Sequence, residues 1–112
     1  MQFSPLLPIT MTASGAVTAE RFVTSAGAQI TVAGTAAIGV SRNTAADTAK
    51  MTVDTIGTAI IEAGGAITAG AAVKAGADGR ALAYDTGTKA GIALQAATAA
   101  GQRIEIFVLS AA

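Results

Sequence analysis

The sequence predicts an all-β domain: a small barrel or sandwich of short strands, preceded by an extended N-terminal arm. Three observations predict it. Apolar and polar residues alternate with period two in several short segments, which turns one face of each toward a core. Turn signals punctuate the chain at Ala33-Gly34, Gly64-Gly65, Asp78-Gly79 and Asp85-Thr86-Gly87, and Asp-Gly in particular accepts the positive φ of a tight hairpin. Alanine, threonine and glycine make up just over half of the 112 residues, against only 25 Leu, Ile, Val and Phe. A chain so poor in large side chains forms a thin core and gains from an intersubunit interface.

Residues 1–10 read as the arm. Pro5 and Pro8 favour extended backbone, and Phe3, Leu6, Leu7 and Ile9 supply apolar side chains to dock. Residues 11–112 read as one β domain. Gln29-Ile30-Thr31-Val32 and Met51-Thr52-Val53-Asp54 alternate polar and apolar. The clearest strand is Arg103-Ile104-Glu105-Ile106, continuing into Phe107-Val108-Leu109. Ile104, Ile106 and Val108 share one face of it, while Phe107 and Leu109 share the other with Arg103 and Glu105. A strand apolar on both faces has its outer face covered, so Phe107 and Leu109 are expected to form an intersubunit face. Alanine favours helix in isolation, which leaves residues 45–50 and 93–100 open to a helical turn.

An internal repeat is faintly visible. Gly39-Val40, then Thr44-Ala45-Ala46, then Lys50 and the strand at 51–54 are echoed by Gly91-Ile92, Thr98-Ala99-Ala100, Arg103 and the strand at 104–107. The pattern implies two similar β-units packed together.

Most chemistry is missing. The chain has no histidine, which removes the common general base, the common zinc ligand and the centre of a serine triad. It has no cysteine and hence no thiolate or disulfide. The acids Glu20, Asp47, Asp54, Glu62, Asp78, Asp85 and Glu105 form no close pair in sequence, and turn geometry explains Asp78 and Asp85. Neither phosphate-cradling glycine motif is present, and Lys74, after a glycine-rich stretch, reads as a solvated strand residue. Tyr84 shares a face with Leu82 and reads as core or interface. Net charge is zero and the seven bases are scattered, which disfavours nucleic-acid binding. No run reaches the length of a membrane helix, and the start lacks the basic residues of a signal peptide. The expectation is no catalytic residue, no metal, no cofactor, no nucleic acid and no membrane.

Two resemblances fit what remains. Lys50-Met51-Thr52-Val53, followed by Ile60-Ile61-Glu62-Ala63-Gly64-Gly65 and the glycine-rich stretch to Gly76, is similar to half of a lipoyl or biotinyl carrier domain. It implies modification of Lys50 at a hairpin tip. The acidic surround of the first lobe is absent, and residues 43–48 around the lysine are bland.

The broader resemblance rests on Gly57-Thr58-Ala59, the run from Ala63 through Ile67 and Gly70 to Val73, Gly87, Gly91-Ile92-Ala93-Leu94, Ala96-Ala97, and Ala100-Gly101-Gln102-Arg103-Ile104-Glu105-Ile106. In that order they resemble the capsid-cement, or head-decoration, proteins of tailed bacteriophages. Tyr84-Asp85-Thr86-Gly87-Thr88 also looks like a loop in the decoration proteins of lambda-type phages. The resemblance implies a non-enzymatic protein on the outer surface of the virion capsid, a clamp across major-capsid-protein subunits that associates with itself as a homotrimer. On this reading the arm residues Gln2, Phe3, Leu6, Leu7 and Ile9 contact the capsid or an adjacent copy. A bacterial surface or adhesin fragment shares the composition but normally carries a secretion signal.

Overall fold

The computed structural model describes residues 6–108, so Gln2, Phe3 and Leu109 of the expected contact set lie outside the described residues. Nine strands and no helix are present among these residues. β1 (Pro8–Thr12), β4 (Lys50–Asp54), β3 (Gly39–Ser41) and β2 (Phe22–Val23) form one antiparallel sheet in that spatial order. β5 (Gly57–Glu62), β9 (Arg103–Val108), β8 (Gly91–Ala93), β6 (Ala72–Ala75) and β7 (Ala81–Ala83) form the second. The all-β class is as the sequence predicts. The two alanine-rich stretches form bridges, turns and the start of β4 rather than helix, for a reason the backbone shows. Ala45 and Val17 exchange N–H···O bonds of 2.8 Å each, and Ala97 and Ile67 exchange bonds of 2.9 and 2.8 Å. Groups that a helix would satisfy internally are taken by a distant segment.

The segment read as an arm enters the first sheet at Pro8. β1 pairs with β4 from Pro8↔Asp54 to Thr12↔Lys50, so it crosses the boundary expected at residue 10. Proline is tolerated there because β1 is an edge strand and Pro8 its first residue. Ahead of it, Leu6 and Leu7 N–H donate to the Ile56 carbonyl at 2.9 and 3.3 Å.

The two sheets follow one plan, and the repeat read in the sequence fits it at Gly39 and Gly91 and at Lys50 and Arg103, but not between them, where Ala45 matches Ala97 and not Ala99. β1, β2, β3 and β4 correspond to β5, β6, β8 and β9, with the same neighbours in the same order. The counterpart of β7 is a single bridge between Val23 and Gln29. Ile9, Met11, Ala13, Val17, Val23, Ala45, Met51 and Val53 build the core of the first unit. Ala59, Ile61, Ala63, Ile67, Val73, Ala97, Ile104 and Ile106 occupy the matching places in the second. A positive-φ residue stands two positions before β2, β4, β6 and β9, at Glu20, Thr48, Gly70 and Gly101. Gly39 opens β3 and Gly91 opens β8. A Cβ at either would run into a backbone carbonyl, of Asp54 or of Phe107, so glycine is required at the same place in both units.

The units also share a core. Phe22, Ile30, Ala37 and Val40 of the first join the buried cluster of the second, and β5 lies against β3 and β4. Alanine at 59, 63, 75, 81, 90 and 93, all but inaccessible, lets the backbones approach. Backbone bonds cross the junction from Phe22 N–H to Gly79 O at 2.7 Å, Gly34 N–H to Ala75 O at 2.9 Å and Thr88 N–H to Gly34 O at 3.1 Å.

Candidate interaction surface

The charged side chains are occupied in holding the fold. Five of the seven acids are in ion pairs: Glu20 with Arg103, Asp54 with Arg42, Glu62 with Arg21 and Arg80, Asp78 with Arg80, and Asp85 with Lys74. Asp47 accepts the Gly15 N–H at 2.8 Å. Two of these ties join the units. Arg103 donates to both Glu20 oxygens, Nε to Oε1 and Nη2 to Oε2, and Arg21 reaches Glu62 at 3.5 Å. The Glu20 bond holds the Arg103 guanidinium above its ordinary pKa. Burial pushes the Asp78 carboxyl up, but bonds from the Arg80 backbone and guanidinium outweigh it and leave Asp78 below its ordinary value.

A cleft of about 230 Å³ opens at the junction, lined by Glu20, Arg42, Asp54, Ile60 and Arg103. It holds two carboxylates, the arrangement a hydrolase needs, yet each is gripped by an arginine, with Arg42 Nη2 2.5 Å from Asp54 Oδ1. Among the described residues no group of His, Cys, Asp and Glu is placed to hold a metal, and no helix is long and apolar enough to cross a membrane.

The lysines differ from their sequence readings. Lys74 is not a solvated strand residue: it is buried, and its Nζ lies 2.5 Å from Asp85 Oδ1, an ion pair that compensates the buried charge. Lys50 is not at a hairpin tip. It sits in the β1–β4 ladder opposite Thr12, with Nζ 2.6 Å from the Thr12 hydroxyl. Tyr84 is half-buried, its O–H donating to the Gly87 carbonyl at 3.0 Å and its ring beneath Lys89 Nζ.

Several large apolar side chains are also left accessible. On the second sheet, Phe107 lies between Thr58 of β5 and Ile92 of β8 in register. Phe107, Ile92 and Leu94 are 41, 37 and 47% exposed. Leu6, Leu7 and Ile56 form a second group of exposed residues, linked by the backbone bonds of Leu6 and Leu7 to Ile56. Of the residues singled out from sequence, the structure therefore places Leu6, Leu7 and Phe107 at the surface. Ile9 instead packs half-buried on the first core. Sequence reasoning missed Ile92 and Leu94. Their signal was the alternation Gly91-Ile92-Ala93-Leu94, whose small inward residues mark the large ones as outward. It missed the Glu20–Arg103 tie altogether, since no local signal relates residues 83 apart.

Comparison with known proteins bears on this surface. The sequence model of the phage cement protein family matches residues 1–108. No curated protein matches the chain. Among solved structures, the fold is similar to the crystal structure of the N base of head fiber gp8.5 of bacteriophage phi29. The TM-score is 0.72 at 19% identity, over 92% of this chain and 95% of that one.

Proposed function

The chain belongs to the phage cement protein family, and from that premise we propose that it binds the outside of a phage head and stabilises contacts between major-capsid subunits, as a homotrimer and without catalysis. Family membership makes it a structural component of the virion associated with the capsid. The finer reading is carried by one observation: a sheet face of Ile92, Leu94 and Phe107 left accessible on a body most of whose carboxylates are committed to ion pairs. Exposed large apolar groups gathered on one face mark a contact surface. Weak contacts of this sort, repeated around a shell, multiply through avidity.

The N-terminal segment takes part. Leu6 and Leu7 are exposed and anchored beside Ile56, which presents them to a partner at a fixed place. Together with Gln2 and Phe3 they form the arm contact in this reading. The test is binding of full-length protein and of a form lacking residues 1–7 to purified heads devoid of it. The deletion stops at residue 7 because Pro8 begins β1. Loss of head binding with an unchanged fold supports the arm assignment, and undiminished binding rejects it.

A further inference from the structure

The two units match in their cores but not in what covers their faces. On the first sheet, Phe22, Val40 and Asp54 are neighbours in register across β2, β3 and β4. They are 0, 1 and 2% exposed, because β5 and the second unit lie over them. Their counterparts on the second sheet are Ala72, Ile92 and Phe107, neighbours in the same pattern across β6, β8 and β9. Here Ile92 and Phe107 stay open to solvent. The second unit thus carries a more apolar version of a face that the first unit keeps covered.

The contact between the units is one-sided in the faces it joins: the core side of the second meets Phe22 and Val40 on the outer face of the first, while the matching outer face of the second stays open at Ile92 and Phe107. A one-sided contact leaves an acceptor face open at one end and a donor edge at the other. Within the chain the donor is β5, an edge strand. Its counterpart is β1, also an edge strand, and Leu6 corresponds to Ile56 just ahead of β5. Neither residues 6–12 nor the Ile92, Leu94 and Phe107 group contains a charged residue.

We propose that residues 6–12 of a second copy dock on the Ile92, Leu94 and Phe107 face, repeating between molecules the contact that β5 makes within one. This rests on the self-association in the reading above and names the two surfaces that meet. The contact is head-to-tail, and three copies joined by it close into a ring in the trimer of the reading above, instead of pairing face to face.

Two full-length variants test it. Phe107→Asp spoils the acceptor, and Leu6→Asp combined with Leu7→Asp spoils the donor. All three side chains are exposed, and thermal midpoints check folding. If Phe107→Asp lowers the midpoint, Leu94→Asp replaces it. In sedimentation velocity the wild type assembles, and each variant alone loses at least about tenfold in association. An equimolar mixture of the two forms a one-to-one pair, since one partner keeps its donor and the other its acceptor. A donor variant that assembles like wild type, a mixture that stays monomeric, or a monomeric wild type overturns the proposal. Cosedimentation of wild type with purified heads reads the capsid role separately. Wild type that binds heads while the mixture stays monomeric removes this contact alone, whereas wild type that binds no heads removes the capsid role.

Discussion

Gly91 and Asp85 show how single residues carry this fold. A Cβ at Gly91 meets the Phe107 carbonyl, and one at Gly39 meets that of Asp54, whereas Gly65 has open space around it. Overpacking of this kind costs about 1–3 kcal/mol. Gly91→Ala and Gly39→Ala are therefore each expected to lower unfolding free energy by about that amount in urea titrations, with Gly65→Ala close to wild type. Equal effects at all three positions contradict the requirement for glycine at 39 and 91, and unequal effects at those two contradict the equivalence of the units. Asp85 makes a pH prediction. A hydrogen bond from Lys74, helped by the Thr86 N–H, holds its carboxyl below its ordinary value. A carboxyl depressed in the folded state contributes stability that is present above its unfolded value, about 4, and is lost as pH falls through the folded value. Asp85→Asn removes that part of the acid limb, so its thermal midpoint falls less steeply than wild type as pH drops below about 4. Parallel curves would refute the role of the pair.

At the scale of elements, legibility in the sequence followed the length of the alternating run. β9 is six residues long, and its alternation gave both the buried Ile104, Ile106 and Val108 and the outward Phe107. β2 has two residues, too few for any period, and its place comes from pairing with β3. Four turns share a positive-φ residue two positions before a strand, but only Gly70 and Gly101 are glycine there, while Glu20 and Thr48 give no such signal. Only part of the repeat was therefore readable. The arm was misjudged in extent for a similar reason: Pro-Ile-Thr-Met-Thr reads as extended chain, and only β4 makes it a strand. That pairing separates two truncations. Removing residues 1–7 leaves β1 and the Ile9 and Met11 contacts in place, so urea stability stays near wild type. Removing residues 1–12 strips those side chains from the first core, where each large residue lost costs about 2–5 kcal/mol. Similar stability of the two truncated forms would show that β1 contributes nothing to the sheet.

The whole molecule is two matching units bound by a shared core, with a net charge of zero and an apolar outer face. Because Phe22 and Val40 of the first unit complete the core of the second, the units are expected to unfold in one transition, with denaturation followed at either unit giving the same midpoint. Contacts between uncharged surfaces are screened little by salt, so attachment through the Ile92, Leu94 and Phe107 face is expected to persist in about 1 M salt. The central claim is that this body works by attachment to a phage head. Cryo-electron microscopy of purified heads, with and without saturating protein, tests it most directly. The account predicts added density at symmetry-related sites on the outer surface, bridging neighbouring capsid subunits. Heads that look the same in both preparations would contradict it.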